Sequence, residues 1–287
     1  MVICATLVST SFTVGAAIAK GLDPTALTLI RFVLASLILW PYVHLRTGIC
    51  FSASIIWRCA IISGSLVVFF WCMFLSLRYT SALNTSVIFT LVPSISGIYA
   101  VFLVRERLKK AQLLALVMGM IGAVWVIFRG DLGQLMAMAW NKGDLIFLAG
   151  CFAMGLYTPL IKLLYRGEPM VVITFWILVT GSIWLLVLSG YRLFFIDWRA
   201  VSFSVWLGIG YLAIFTTVIT FFLTQYSVPF IGPTKVMAYS YLYPGLVLII
   251  DLALGHGWPP GSVMPGILMV LAAMPVIQRS ADSSQGS

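Results

Sequence analysis

The chain has 287 residues, of which 62% are hydrophobic and 9% charged, with a mean hydropathy of +1.09 and a formal net charge of +9. A water-soluble domain carries about 25% charged residues, so this composition excludes a particle coated by its own polar surface and puts most of the chain against lipid. The positive balance does not mark a nucleic-acid binder, because the basic residues are scattered through short connectors between apolar runs, where membrane proteins carry them.

A bilayer core about 30 Å thick takes ~20 residues of apolar helix. The sequence predicts ten such runs, at 2–20, 25–45, 57–77, 81–104, 110–128, 143–165, 170–190, 203–226, 232–254 and 259–277. The first opens on VICATLVST with neither a basic leader nor an A-x-A-like cleavage site before Lys20, so it is expected to remain as a span. The connectors GLDPT, RTGIC, RGEPM, FIGPT and HGWPPG carry turn and helix-breaking chemistry. The longest internal connector, 129–142, divides the chain into a first unit, 1–128, and a second, 143–279, each with five runs. The polar tail at 280–287 is expected to be disordered.

The two units repeat each other. At an offset of 151 residues, TLVPSISGIYAVFLVRERLKK lies over YLYPGLVLIIDLALGHGWPPG, and Pro93 falls on Pro244. The apolar parts match and the exits do not: Arg105, Glu106 and Arg107 meet His256, Gly257 and Trp258. Five is odd, so a second five-helix unit enters the membrane upside down, and basic residues collect on the cytoplasmic side. An inverted repeat therefore predicts this loss of charge. With both termini cytoplasmic, the inner connectors and tail hold nine basic residues (Arg46, Arg58, Arg105, Arg107, Lys109, Lys110, Lys162, Arg166, Arg279) and the outer ones six (Lys20, Arg78, Arg129, Lys142, Arg192, Arg199). Small residues also recur, with Ala115 over Gly266 and Gly122 over Ala273, which suits close helix packing in lipid.

Two stretches carry a family resemblance. STSFTVGAAIAKGLDPTALTLIRFVLASLIL and SALNTSVIFTLVPSISGIYAVFLVRERLKKAQLLALVMGMIGAVWVIF resemble the two signature parts of an EamA repeat of the drug/metabolite transporter superfamily. The resemblance covers residues 5–278 as two repeats. It implies an all-α integral membrane protein of ten transmembrane helices in two inverted five-helix repeats, with a central cavity and export or exchange of small metabolites, amino acids among them. The chain departs from the family pattern at Val8 and Ser9, where Trp-Gly is frequent, and in the second repeat, which lacks the Glu exit.

Arg31 is the foremost candidate for substrate contact. A guanidinium fork fits a carboxylate, and an Arg inside a span costs about 2.5–3.5 kcal/mol on insertion scales; it can equally snorkel or bind a backbone carbonyl. Pro93 and Pro244 each remove a backbone hydrogen bond and are expected to kink a span at the transport path, or simply for packing. Tyr239 and Tyr243 share a face if the helix is continuous, with Tyr241 pointing elsewhere. Together with Asn84, Trp71, Tyr157, Thr216 and Thr217 they are the expected cavity lining for an amphipathic solute. Lys235 reads as an interfacial cation, and Asp251 is the one acid expected inside a span, near its end. That scarcity argues against a proton pump built on carboxylates.

Cys4, Cys50, Cys59, Cys72 and Cys151 form no C-x-x-C and read as small buried hydrophobes, while His44 and His256 are too far apart to suggest a metal site. No cofactor, metal or catalytic motif is expected. The sequence thus predicts a secondary transporter of the inner membrane, handling a small metabolite such as an amino acid by alternating access. Its expected partners are the solute and the bilayer, with a homodimer left open. The alternative is a non-transport membrane protein such as a lipid-modifying enzyme.

Overall fold

The computed structural model describes residues 1–46, 52–127, 133, 141–255 and 261–279, and among them it is all helical, with no strand. Most of the connector 129–142, residues 256–260 and the tail 280–287 lie outside the described residues. Each of the ten predicted apolar runs is met by helix. Seven helices are long and apolar enough to cross a membrane: Pro24–Arg46, Ala53–Ser76, Asn84–Val104, Lys142–Leu164, Met170–Leu188, Phe203–Ile231 and Gly261–Gln278.

In chain order the helices are α1 (Val2–Ile18), α2 (Pro24–Arg46), α3 (Ala53–Ser76), α4 (Ala82–Ile88), α5 (Val92–Val104) and α6 (Lys110–Ile127). Then follow α7 (Lys142–Leu164), α8 (Met170–Ser189), α9 (Phe203–Ala213), α10 (Thr220–Ile231), α11 (Pro233–Ala238), α12 (Tyr243–Ala253) and α13 (Met264–Arg279). Local chemistry sets several starts. Asp23 accepts hydrogen bonds from the Thr25 and Ala26 amides at 3.0 and 3.4 Å, ahead of Pro24. The Ser81 and Asn141 side chains accept from Asn84 N at 3.1 Å and Gly143 N at 3.0 Å.

Two spans are broken in the same way. A 3-10 turn, Phe89–Leu91, joins α4 to α5, and another, Tyr239–Leu242, joins α11 to α12. Pro93 and Pro244 stand in the first turn of α5 and α12, where a missing N–H costs no helical bond. The break therefore lies just before each proline rather than at it. The 151-residue offset that aligns the prolines also aligns the first residues of α5 and α12, Val92 and Tyr243. A third irregularity is a π-helical segment, Ile214–Ile219, between α9 and α10. It forms part of a helix reaching Ile231, five residues beyond the predicted end.

Packing runs mainly between the two halves of the chain. α3 packs on α7 and α8, α2 on α8 and α9, α5 on α7 and α11, and α1 on α9 and α12. α6 pairs with α13 and forms a small second core with Tyr241, separate from the main one. Large apolar side chains such as Leu45, Phe102, Leu114 and Val187 cover the outside, as a lipid-facing surface requires.

Polar links tie the ends of the bundle. Arg58 of α3 donates to Leu164 O at 2.6 Å and pairs with Glu168, the one ion pair among the described residues. Burial pushes the Glu168 carboxyl up, but hydrogen bonds from Arg58 and from backbone amides outweigh it and hold the group below its ordinary value. At the end of α5, Arg105 adopts a left-handed conformation (φ 54°) that turns the chain toward α11. There Glu106 accepts from Thr234 Oγ1 at 2.8 Å and abuts Gly232, whose φ of 86° and lack of a Cβ both suit the contact.

The α6–α13 pair depends on a close backbone approach. A Cβ on Gly122 would stand 2.7 Å from Gly266 O and 3.0 Å from Val270 Cγ2, whereas one on Gly210 meets nothing within 4 Å. Gly122→Ala is expected to destabilise the protein by about 1–3 kcal/mol, and Gly210→Ala to stabilise it by about 0.5–1 kcal/mol. Thermal unfolding in detergent checks both; an unchanged or raised Tm for Gly122→Ala would contradict this packing.

Candidate functional site

Arg31 lies on α2 among apolar neighbours and is 1% exposed. It faces the π-helical segment. The wider turn there presents Thr216 and Thr217 side by side, and both hydroxyls donate to Leu212 O, at 3.0 and 2.8 Å. Their protons being committed, their oxygens are free to accept. Arg31 Nε donates to Thr217 Oγ1 at 2.5 Å, and Nη2 to Thr216 O at 2.9 Å and Thr216 Oγ1 at 3.1 Å. The guanidinium carbon lies 4.4 Å from the centre of the Phe70 ring. The remaining nitrogen, Nη1, is buried and has no hydrogen-bond partner. Every partner of this cation is neutral.

Beside Arg31 lies a cavity of about 50 Å³. Its walls come from both halves of the chain: Ser11 and Phe12 of α1, Phe69, Phe70 and Met73 of α3, and Phe89 on one side; Met154 and Tyr157 of α7, Thr220, Phe221 and Thr224 of α10, Met237 and Tyr243 on the other. The rings pack edge to face or tilted, with Phe12 5.8 Å from Phe89 and 5.9 Å from Tyr243 between centres, and Phe70 stacks on Phe221 at 5.9 Å. A water needs roughly 10–15 Å³ of such space, so the cavity has room for a few waters. A solute of amino-acid size requires the walls to part. Met73, Met154 and Met237 are the adaptable part of those walls.

A second buried polar chain runs behind it. Gln225, fully buried, donates from Nε2 to Tyr157 Oη at 3.0 Å and accepts from Thr174 Oγ1 at 2.5 Å. Of the residues expected from sequence, Arg31, Thr216, Thr217, Tyr157 and Tyr243 come together here. The other three do not join them. Trp71 is 40% exposed and looks away from the bundle. Asn84 donates to Thr80 Oγ1 at 3.3 Å near the start of α4. Tyr239 is half-buried and outside the cavity wall, because the 3-10 turn after it advances the chain by about 120° per residue and so separates it from Tyr243. Lys235 does not reach the cavity either, and the Asp251 side chain lies outside the described residues.

Thr220, Thr224 and Gln225 escaped the sequence reading although a signal was present. TTVITFFLTQ spaces hydroxyls at intervals of three and four along an apolar span, which puts them on one helix face. The phenylalanine cage carried no such signal, since Phe is scattered through every part of the chain.

The EamA-like transporter family model matches residues 1–128 and again 141–278. The chain belongs to this family. Among curated relatives it is 26% identical over 201 residues to the uncharacterized transporter YyaM of Bacillus subtilis (strain 168), a match covering 70% of this chain and 66% of that protein. An uncharacterized transporter of Archaeoglobus fulgidus is 25% identical, with 78% of this chain and 77% of that protein covered. YetK of Bacillus subtilis, another uncharacterized transporter, is 25% identical, and the match spans only about half (49%) of its length. A solved crystal structure superposes with a TM-score of 0.73 at 19% identity, covering 98% of this chain and 97% of that one, which establishes the shared fold.

Thr217→Val keeps the side-chain volume but removes the acceptor of Arg31 Nε. Leaving that donor unpaired is expected to cost about 1–3 kcal/mol, while Thr217→Ser is expected to stay near the original stability. Thermal unfolding checks this, and equal midpoints for the Val and Ser variants would mean that Arg31 does not depend on this hydroxyl.

Proposed function

We propose that this chain is a secondary transporter of the inner membrane that exports or exchanges a small amphipathic metabolite. It crosses the membrane ten times, as two five-helix repeats of opposite orientation with cytoplasmic termini. The reading rests on one observation above all: the cavity at Arg31 is walled by residues of both halves. A site between two bodies is opened to one face or the other when they rock.

Three features support the inverted arrangement. The family model fits the chain twice, once in each half. The helix breaks before Pro93 and Pro244 occupy matching positions. Contacts between halves also come in exchanged pairs: α3 with α7 is answered by α1 with α9, and α5 with α7 by α12 with α1.

In this mechanism Arg31 holds the solute, the aromatic wall excludes water, and the two broken spans flex. Phe89 and Tyr243, at the two breaks, touch at 5.3 Å between ring centres, so motion at either break reshapes the cavity. Among the described residues no acid lines the cavity, which favours exchange or downhill export over coupling to a protonated carboxylate.

Counterflow in proteoliposomes, with a panel of labelled amino acids and related metabolites, tests the transport reading. Accumulation of a labelled solute without its chemical conversion is expected; a modified lipid and no solute movement would replace it with an enzyme. In a cysteine-free background, Lys109→Cys and Gly257→Cys are expected to react with an impermeant thiol reagent from opposite faces. Reaction from the same face would refute the inversion.

A further inference from the structure

Resting on the transport reading, the chemistry of the cavity narrows its substrate class. We propose that the site selects a monoanion with an apolar body, recognised through its carboxylate by Arg31, and discriminates against the corresponding zwitterion.

The anion side of the argument lies in Arg31 itself. Its Nε and Nη2 are spent on Thr217 and Thr216, which fixes the plane and direction of the guanidinium. Nη1 has no partner and is fully buried beside the cavity. A buried charge with only neutral partners is costly until an opposite charge arrives, and a carboxylate forms short, charge-assisted bonds to such a group. The cavity is therefore a site completed by an anion.

The zwitterion side lies in what the walls lack. Among the described residues no Asp or Glu lines the cavity, so an ammonium group would find no counter-charge from them and would stand near a guanidinium of like sign. The hydroxyls it would meet are neutral. Ser11 donates to Val8 O at 2.6 Å and Thr220 to Thr216 O at 2.9 Å, so their oxygens can accept an N–H bond but supply no charge to offset that of a buried ammonium. Rings and thioethers make up the rest, which suits a hydrocarbon body.

The test uses the purified full-length protein and three probes of nearly the same shape: 4-methylpentanoate (an anion), leucine (the zwitterion) and 4-methylpentanamide (neutral). Binding is read as ligand-dependent thermal stabilisation, which follows affinity for the folded state. The carboxylate is expected to bind at least ~10-fold more tightly than either of the others, as one charge-assisted contact allows. Arg31→Gln is expected to erase that preference, and Arg31→Lys to keep part of it. The ranking in the unsubstituted protein decides the matter even if Arg31→Gln fails to fold. Leucine or the amide binding as well as the carboxylate, or no binding of the carboxylate, overturns the proposal. Counterflow of the same probes separates the two ideas. Anion-selective binding without counterflow removes the transport reading and leaves the site; counterflow of leucine in preference to 4-methylpentanoate removes the anion selectivity and leaves transport.

Discussion

A guanidinium enclosed by a lipid-embedded bundle constrains everything around it. Arg31 keeps its charge and is buried away from bulk solvent. The chain meets that demand with neutral groups, two threonine oxygens, one carbonyl and a ring face. To bring both threonines to bear, the facing helix gives up regular α geometry over Ile214–Ile219. The aromatic cage then keeps lipid away from the half of the guanidinium that remains unsatisfied. Structural irregularity and function thus share one cause.

The breaks near Pro93 and Pro244 have a different cause. They recur at matched positions because both halves carry the same proline, and they bring Phe89 and Tyr243 into contact at the centre. The halves are not equivalent at their ends. In the first, the charged exit of α5 makes a contact of its own: Glu106 accepts a hydrogen bond from Thr234 at the start of α11. This link crosses between the halves on one side of the bundle. The charge asymmetry seen in sequence is consistent with the positive-inside bias and also supplies this contact.

Much of the fold was legible in sequence. Among the described residues each predicted apolar run is met by helix, and the repeated proline located both breaks to within a few residues. Arg31 and Thr217 stood out because polar groups in apolar spans are expensive, and they proved to be partners. What periodicity could not supply was phase. Tyr239 and Tyr243 share a face only on a regular helix, and the 3-10 turn between them redirects Tyr239. Trp71 sits one residue from Phe70, which lines the cavity, yet the 100° step of an α-helix sends it outward. Asn84, expected in the cavity lining, instead serves the start of α4, where Asn commonly acts on backbone and neighbouring hydroxyls. The partnership of Gln225 with Tyr157 joins residues 68 positions apart, beyond the reach of local pattern.

The central claim is that the small space beside Arg31 is reached by solute from both sides of the membrane in turn. Its most direct test is a single cysteine at Thr220, on the cavity wall, in a cysteine-free background in oriented vesicles. The account predicts modification by a small impermeant thiol reagent applied to either face, slowed by a transported solute. A cysteine that stays unreactive from both faces, or reacts from only one under every condition, would contradict it.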